Sequence, residues 1–583
     1  MPLAPKTLET LHARLARLYP NEHTEELVQR LTVIARKHER DHPGNPPRKR
    51  WDESDTLLIT YGDSLRDGGG SPLQALASFS SEYLCECIGT VHLLPFFPYS
   101  SDDGFSVINY RSVNAEVGTW DDIARLGERF ELMFDFVLNH VSRESLWFAD
   151  YMENMPPGNR YFIEADPDDP RLKAVTRPRA EPLTVRIRTR HDTRYVWATF
   201  SKDQIDLNYA NPDVLMQALD ILLYYIRQGA RIIRLDAVAF LWKEVGTCCI
   251  HLPQTHDVVK LMRNMLDDIA PDVILLTETN VPHAENVSYF GDGDEAHMVY
   301  QFSLPPLMLH GIYSGSTRYL RRWLQALAPA PKGCTFLNFT ASHDGVGLRA
   351  LEGIVPEGEV NELLDAMRQR GGYISHRMQA DGTQVPYELN ISYFDAMRDP
   401  EVHHDMWHVQ RFILSQTVAM ALQGVPAVYI HSLLATPNFH EGVENTGRTR
   451  TINRRCWQLN ELIPQLDDPN APAHAVFNTL RERLALRRTI AAFHPDAPQS
   501  VFELPDALLA VRRTSVDGQQ SVTCLYNFTP VAQTIALAMI DYAGIAHAEL
   551  QDLISRESPR GDQDDPASVV IPAYGCYWLT TMR

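Results

Sequence analysis

Three acidic residues each follow a short stretch of apolar or small residues: Asp236 in RLDAVAF, Glu278 in LLTETN and Asp344 in ASHDG. A carboxylate beside a buried strand is costly unless it is paired or used in function. Cleaving a glycosidic bond with retention requires two carboxyl groups about 5 Å apart, one attacking the anomeric carbon and the other protonating the leaving oxygen. A structural ion pair would explain any one of the three residues, but together they favour this chemistry.

The elements that would position these carboxylates alternate between strands and helices over residues 51–497. Such alternation predicts an α/β fold with a parallel sheet. The polar residues then follow the carboxyl ends of the strands, where barrel enzymes place their active sites. Helical stretches such as DVLMQALDILLYYIRQGA lie between apolar stretches typical of buried strands. Six stretches are predicted as strands: TLLITY, TVHLLPFF, LMFDFV, RIIRLDAVAF, VILLTET and TFLNFTASHD.

Changes in the pattern of apolar and polar residues divide the chain into further segments. The first residues have apolar side chains at helical spacing, as in LETLHARLARLY, and the last part has short alternating strands. Two long stretches interrupt the strand–helix alternation, and long insertions in a barrel tend to be functional. We predict an N-terminal helical extension over 1–50, a catalytic barrel over 51–140 and 206–497, an inserted B domain over 141–205, a second insertion over 350–398, and a C-terminal antiparallel β domain over 498–583.

The overall composition argues against several classes of protein. The 583 residues carry a formal net charge of −20, which argues against binding of nucleic acid. No apolar run approaches the roughly 18 residues needed to cross a bilayer, and the N-terminal stretch lacks the apolar core of a secretory signal. The eight cysteines show no paired CxxC spacing, so we predict reduced thiols and a cytoplasmic protein.

Four short motifs carry a resemblance to a known family. FDFVLNH, RLDAV, TETN and SHD resemble, in order and in spacing, the four signature regions of the α-amylase superfamily, glycoside hydrolase family 13. The resemblance implies a (β/α)8 TIM barrel with inserted subdomains. It also implies that Asp236 is the nucleophile, Glu278 the general acid/base and Asp344 the residue that stabilises the transition state.

The same motifs imply roles for neighbouring residues. Arg234 lies two residues before Asp236 and would keep that carboxylate ionised. By resemblance, His140 and His343 would hydrogen-bond the hydroxyls of glucose, and Asp135 would shape the base of the site.

Other stretches narrow the resemblance to sucrose phosphorylases. TYGDSL, HLLPFFPYSSDDGFSVINY, FSKDQIDLN, FSLPPLMLH and TRTINRR have counterparts in that group. The resemblance implies that Asp63 and Arg450 bind the far side of the glucose ring and that Phe200 and Gln204 line the sugar site. Tyr110 stands where sucrose phosphorylases have a histidine in contact with glucose.

Phosphorolysis requires positive charge where the acceptor binds, and one stretch of this acidic chain supplies it. RPRAEPLTVRIRTRHDTR contains six arginines, whose side chains match phosphate or carboxylate well. A solvated basic loop is the alternative interpretation. By resemblance, Arg179 contacts phosphate. In a second acceptor loop, Tyr387 and Glu388 stand where sucrose phosphorylases have Tyr-Gln, which suggests a changed leaving group.

The stretches WDESD, TNVPH, DEAHMVYQFSLPPL and DGTQVPYELN resemble those of glucosylglycerate phosphorylases. The resemblance implies cleavage of 2-O-α-D-glucopyranosyl-D-glycerate with inorganic phosphate, giving α-D-glucose 1-phosphate and D-glycerate. Both acceptors are then anions, and His376 and Arg377 are candidates for binding the glycerate carboxylate. The expected partners are thus a small α-glucoside and phosphate as co-substrate, with no other cofactor.

Three alternatives stay open. One is a phosphorylase of sucrose, glucosylglycerol or sucrose 6′-phosphate; the second is a hydrolase or transglucosidase; the third is a sugar-binding protein without catalytic activity. Many amylases carry a structural calcium ion, and Asn139 stands where one of its ligands would lie. The insertion shows no convincing set of acidic ligands, so we predict no metal. The N-terminal helices and LPPLMLH could support a homodimer.

Overall fold

The computed structural model describes residues 3–38, 49–179, 181–378, 383–562 and 564–582. Within these residues, eight parallel strands close a barrel in which each strand pairs with its neighbours in the chain and β8 closes on β1. This confirms the predicted (β/α)8 fold. The barrel strands are β1 Leu57–Thr60, β2 Thr90–Leu93, β3 Glu131–Val137, β4 Ala230–Asp236, β5 Ile274–Thr277, β6 Met298–Tyr300, β7 Thr335–Asn338 and β8 Val425–Tyr429.

Two barrel strands, β6 and β8, were absent from the six predicted. β6 has only three residues, too few for a visible apolar run. β8 contains Pro426, and a proline normally argues against a central strand because it cannot donate a ladder hydrogen bond.

Helices surround the barrel and return the chain from each strand to the next. Pro212–Arg227 and Pro253–Ile269 precede β4 and β5, at whose ends Asp236 and Glu278 lie. The other helices of the barrel are Pro72–Tyr83, Trp120–Gly127, His283–Val287, Leu304–Ser314, Arg318–Ala326, His408–Ala421, Ile430–Leu433, His440–Thr446, Leu459–Asp467 and Pro472–Arg487.

The N-terminal extension consists of two amphipathic helices, α1 Pro5–Leu18 and α2 Thr24–Lys37, which pack on barrel helices. Their apolar faces are buried, and ion pairs surround the contact. Arg14 pairs with Asp257 at 3.1 Å, and Lys37 pairs with Asp220 at 2.9 Å. The extension therefore covers the body of its own chain, and the homodimer stays a prediction.

Two insertions leave the barrel at the carboxyl ends of β3 and β7. The first contains the antiparallel pair His140–Ser142 and Gln204–Asp206, the helix Leu146–Glu153 and the hairpin Thr184–Arg188 with Thr193–Trp197. The second contains the helix Glu357–Gln369 and a sheet in which Gln384–Asn390 lies between Val346–Gly347 and Tyr373–Met378. Because parallel strands end at the same rim, both insertions stand over the same opening of the barrel.

After the barrel, the chain forms an antiparallel sheet with the strand order Gln499–Val501, Leu508–Thr514, Ser521–Asn527, Cys576–Thr581, Leu550–Asp552, beside the pair Gln533–Ala536 and Ser568–Ile571. Buried Arg513 joins this sheet to the barrel, since it donates to the carbonyl oxygen of Ala421 at 2.8 Å. The eight cysteines all lie in the described ranges and are free thiols. Among the described residues, no helix has the length and apolar character of a membrane span.

Candidate active site

The three carboxylates follow the carboxyl ends of three strands of the barrel. Asp236 is the last residue of β4, Glu278 directly follows β5, and Asp344 lies in the turn after β7. Ala237, next to Asp236, has a φ of 50°, a left-handed conformation that an alanine rarely adopts. This turn aims the Ala237 N–H at Glu278, to whose Oε2 it donates at 3.0 Å. The backbone thus links the two carboxyl groups that a retaining mechanism needs.

A buried ion network holds Asp236. Arg234 is two residues earlier on β4 and donates from Nη1 to Asp236 Oδ1 at 2.7 Å. The strand register puts Arg234 opposite Asp135 on β3, and these two side chains form a second ion pair. His92 Nε2 lies 2.6 Å from the other oxygen of Asp135. All four side chains are buried, so the arginine is fixed in place against the carboxylate of Asp236.

The three carboxyl groups differ in their surroundings and therefore in their protonation. Burial raises the pKa of both Asp236 and Glu278, and the two groups repel each other's charge. Arg234 bonds Asp236, whereas Glu278, among the described residues, accepts from the backbone N–H of Ala237, so these contacts favour the ionised form of Asp236 and the protonated form of Glu278. Burial acts against ionisation of Asp344 too, but the positive charges of Arg450 and Arg454 outweigh it and hold its pKa far below the usual range.

The predicted sugar-facing residues His140, Phe200 and Gln204 come together at the base of the first insertion. The ring of Phe200 lies 5.3 Å from that of His140, and Gln204 Nε2 donates to the carbonyl oxygen of Phe105 at 3.2 Å. His343 stacks on the ring of Phe105 with 4.8 Å between centroids. Burial lowers the pKa of both histidines, so they are neutral rings that can both donate and accept.

Arg450 and Asp63, which we predicted to bind the far side of the glucose ring, have different partners in the structure, and their binding of glucose stays a prediction. Arg450, in the short helix Thr449–Asn453, pairs with Asp344 at 2.5 Å. Asp63 instead accepts from Arg66 Nη2 at 2.9 Å and shares a cavity with Arg454. The stretch TRTINRR contains several arginines close together, and its sequence alone does not show which of them lies near Asp63.

Arg454, which the sequence analysis missed, lies beside His343 and Asp344. It donates from Nε to the His343 carbonyl oxygen at 2.8 Å and from Nη1 to Asp103 Oδ2 at 2.6 Å. Its Nη2 is 3.8 Å from Asp344 Oδ1. Arg454 thereby connects the turn that carries His343 and Asp344 to the loop after β2.

The hydroxyl of Tyr110 forms hydrogen bonds within the protein. That hydroxyl lies 2.9 Å from the carbonyl oxygen of Val137 and 2.8 Å from that of His140. The side chain thus supports the segment that carries His140, and a contact between Tyr110 and glucose stays a prediction.

A cavity beside Glu278, hereafter the arginine-lined cavity, lies between the barrel and both insertions. Its walls include Tyr387, Phe200, Asn280 and Glu278. Arg179 approaches from the first insertion, with its guanidinium carbon 5.9 Å from the ring centroid of Tyr387. The cavity takes its name from three residues that also line it: Arg177, Arg349 and Arg377.

The second insertion separates the four acceptor residues that we predicted on it. Arg377 lines the arginine-lined cavity, whereas His376, its neighbour on the strand, is exposed, because successive side chains of a strand point to opposite faces. Tyr387 sits at a β-bulge between Glu388 and Pro386 and lines the cavity. Glu388 is buried, and both its oxygens accept from Arg450, so it acts on Asp344 through Arg450. His376 is thus no part of this cavity.

The other four arginines of the stretch 177–194 lie at or near the surface. Arg186 and Arg188 are exposed on the hairpin. Arg190 pairs with Glu153 at 3.5 Å, and Arg194 pairs with Glu164 at 2.6 Å. For these four residues the alternative interpretation, a solvated basic loop, is the better one.

Residues 82–327 match the alpha amylase catalytic domain family. A glucosylglycerate phosphorylase of Spirochaeta thermophila is 44% identical over 535 residues, which cover 91% of each chain. The chain belongs to the α-amylase family. A glucosylglycerate phosphorylase of Escherichia coli is also 44% identical, over 88% of this chain and 91% of its own. The structure of sucrose 6F-phosphate phosphorylase from Thermoanaerobacter thermosaccharolyticum shares the fold, with a TM-score of 0.71 at 24% identity over 82% of this chain and 94% of its own.

Asn139 stands where many α-amylase family members have a calcium ligand, but in this chain it contacts a lysine. Asn139 Oδ1 accepts from Lys243 Nζ at 2.6 Å, and the same ammonium group pairs with Asp206 at 2.7 Å. Both charged side chains are almost fully buried. A cation of the protein itself thus joins the first insertion to the barrel at the place where a calcium ion would do so. Among the described residues, no group of three His, Cys, Asp or Glu side chains is arranged to hold a metal.

Proposed function

We propose that this chain cleaves 2-O-α-D-glucopyranosyl-D-glycerate with inorganic phosphate, giving α-D-glucose 1-phosphate and D-glycerate through a covalent glucosyl-enzyme. Two glucosylglycerate phosphorylases that are 44% identical to this chain over about nine-tenths of its length support this choice of substrate. The observation that carries the proposal within this structure is the arginine-lined cavity beside Glu278. Water or a neutral sugar needs no such charge as acceptor, whereas phosphate and glycerate are both anions.

In the first half-reaction, Asp236 attacks the anomeric carbon of glucose and forms the glucosyl ester. The bond from that carbon to the glycerate oxygen breaks, and Glu278 gives its proton to this oxygen. Arg234 supports the ionised form of Asp236 through its bond to Oδ1. The proton retained on Glu278 is the one that the leaving alkoxide requires.

In the second half-reaction, a phosphate oxygen attacks the same carbon and the bond to Asp236 breaks. Glu278, now ionised, takes the proton of the attacking phosphate if the phosphate is protonated at that oxygen. Two inversions at one carbon give retention, so the product is the α-anomer. Arg179 and Tyr387 receive the phosphate in this proposal, since they stand together at the edge of the arginine-lined cavity.

Glucose binds on the opposite side of Glu278 from the arginine-lined cavity. Asp344, which its cationic neighbours hold ionised, accepts hydroxyl hydrogen bonds and stabilises the positive charge that develops on the ring. His140 and His343 bond further hydroxyls, and Phe200 and Gln204 line the wall. Asp63 and Arg454 share the cavity that would close the far side of the ring, which would limit the donor to a single glucosyl unit.

The proposed reaction needs no metal and no cofactor beyond phosphate as co-substrate. Lys243 supplies a fixed positive charge to Asn139 and Asp206. A calcium ion at the same place would meet that charge, which disfavours its binding.

A donor screen tests the proposal. The purified protein is incubated with inorganic phosphate and, separately, with glucosylglycerate, sucrose, glucosylglycerol and sucrose 6′-phosphate, and α-glucose 1-phosphate is measured. We expect fast release from glucosylglycerate alone. Release from sucrose instead would keep the phosphorylase reaction and overturn the assigned leaving group. Free glucose without glucose 1-phosphate from every donor would show a hydrolase.

A further inference from the structure

The arginine-lined cavity contains more positive charge than the phosphate contact uses. Arg177 comes from the first insertion, Arg349 from the turn after the strand Val346–Gly347, and Arg377 from the second insertion. The Nε atoms of all three are buried, and none finds a hydrogen-bond acceptor among the residues that the structure describes. Three guanidinium groups that line one small cavity repel one another, and an anion bound between them would relieve this repulsion.

Neighbouring acidic groups do not neutralise this cluster. Glu352, about half exposed, accepts from Arg377 Nη2 at 3.3 Å and lies 3.8 Å from Arg349 Nε. Glu278 is the acidic residue that lines the cavity itself. Three arginines thus face at most two carboxylates, and positive charge remains in excess next to the acid that protonates the leaving oxygen.

The covalent structure of the donor fixes where its carboxylate must lie. In 2-O-glucosylglycerate the carboxylate carbon is bonded directly to the carbon that carries the glycosidic oxygen, so the carboxylate oxygens lie within about 4 Å of that oxygen. Glu278 must reach the same glycosidic oxygen. The carboxylate is thus forced against Glu278, and it would oppose transfer of negative charge onto that residue unless cations face it.

Resting on the proposed function, we infer that Arg349 and Arg377, with Arg177, form the subsite for the carboxylate of glycerate and determine the choice of this acid over neutral acceptors. Arg179 with Tyr387 forms a separate contact, for phosphate. The two anions then use different arginines around one general acid/base. Arginine suits the carboxylate subsite because its forked donors can bond both carboxylate oxygens.

The test separates the acceptors by starting from a common glucosyl-enzyme. α-Glucosyl fluoride serves as donor, because fluoride leaves without a proton, and three acceptors are compared: D-glycerate, glycerol and inorganic phosphate. Glycerol keeps the carbon skeleton of glycerate and replaces the carboxylate by an uncharged alcohol. The variants are Arg349→Gln and Arg377→Gln, and the matched control is Arg188→Gln, an exposed arginine of the first insertion.

We expect each cavity variant to lower kcat/KM for D-glycerate about 10- to 100-fold, the usual effect of losing one hydrogen bond to a charged group. Glycerol and phosphate should stay within about twofold to threefold of the unaltered protein, as should every acceptor in Arg188→Gln. Equal losses for glycerate and glycerol, equal losses for glycerate and phosphate, or no loss at all would each overturn the subsite. An unaltered protein that does not use D-glycerate, but does use another acceptor, would overturn the proposed function and the subsite with it.

Discussion

The two sides of Glu278 are built on different principles. On the glucose side the charged groups are already paired within the protein, Arg234 with Asp236 and Arg450 with Asp344. On the acceptor side, three arginines line the arginine-lined cavity, and two of them share one half-exposed carboxylate, Glu352. The charged groups of the first side thus pair with one another, whereas positive charge is in excess on the second. In the proposed reaction the barrel therefore carries out the glucosyl transfer, and the two insertions select the acceptor.

Removing the nucleophile should cause the largest loss of activity, and the loss should be the same with every acceptor. Asp236→Asn is expected to lower turnover at least about 10⁴-fold with phosphate, glycerate or water, because no glucosyl ester forms. Steady-state rates with each acceptor check this, and an unchanged thermal midpoint is the control for folding. Substantial activity of Asp236→Asn with any acceptor would remove the nucleophile from the mechanism.

Removing the general acid should depend on the leaving group. Glu278→Gln is expected to slow glucosylation by glucosylglycerate about 10²- to 10⁴-fold, the usual contribution of a positioned acid. α-Glucosyl fluoride should lose far less, since fluoride needs no proton. Single-turnover rates with the two donors give the comparison, and losses of equal size for both would contradict the role of Glu278.

The same residue should determine the pH dependence. Burial raises the pKa of Glu278, and the nearby charge of Asp344 adds to the effect. Protonated Glu278 is the active form for glucosylation, so the rate with glucosylglycerate should fall as the pH rises through this raised pKa. Single-turnover rates across a pH series should show this alkaline limb with glucosylglycerate and not with α-glucosyl fluoride. An identical limb for both donors would assign it to another group.

Changing the phosphate contact should affect one acceptor only. Arg179→Gln is expected to lower kcat/KM for phosphate about 10- to 100-fold through loss of one bond to a charged oxygen. D-glycerate, taken up from the same glucosyl-enzyme, should change much less. If both anions lost equally, the acceptor side would be one shared subsite and the contrast between its arginines would disappear.

A change outside both sides should leave the chemistry nearly intact and lower stability. Lys243→Met leaves Asp206 buried without its cation, and breaking a buried ion pair in this way costs about 3–5 kcal/mol of unfolding free energy. Chemical denaturation measures the loss, and EDTA added to the unaltered protein should leave its thermal midpoint unchanged. A drop of that midpoint with EDTA would show a resident metal ion.

The sequence predicted the barrel and the three carboxylates because strand periodicity and short motifs are local signals. It missed β6 and β8, since one is very short and the other contains Pro426. The pairing of side chains from distant segments was harder to predict. Arg450 and Arg454 lie close together in the sequence, and only folding decides which of them joins Asp63.

The acceptor side was the least predictable part. Arg349 and Lys243 stand in stretches without a motif, and their importance comes from which segments fold against them. His376 and Arg377 are adjacent in sequence, yet strand alternation sends them to opposite faces. Six arginines in one stretch suggested a single basic cluster, but four of them face solvent or pair on the surface.

The central claim is that one glucosyl-enzyme, formed on Asp236, is shared by two anionic acceptors. The most direct measurement forms this intermediate from α-glucosyl fluoride and from α-glucose 1-phosphate, and follows its partition between D-glycerate and water. We predict glucosylglycerate as the main product, with the same product ratio from both donors at equal glycerate concentration. Ratios that depend on the donor, or free glucose as the main product at saturating glycerate, would contradict the claim.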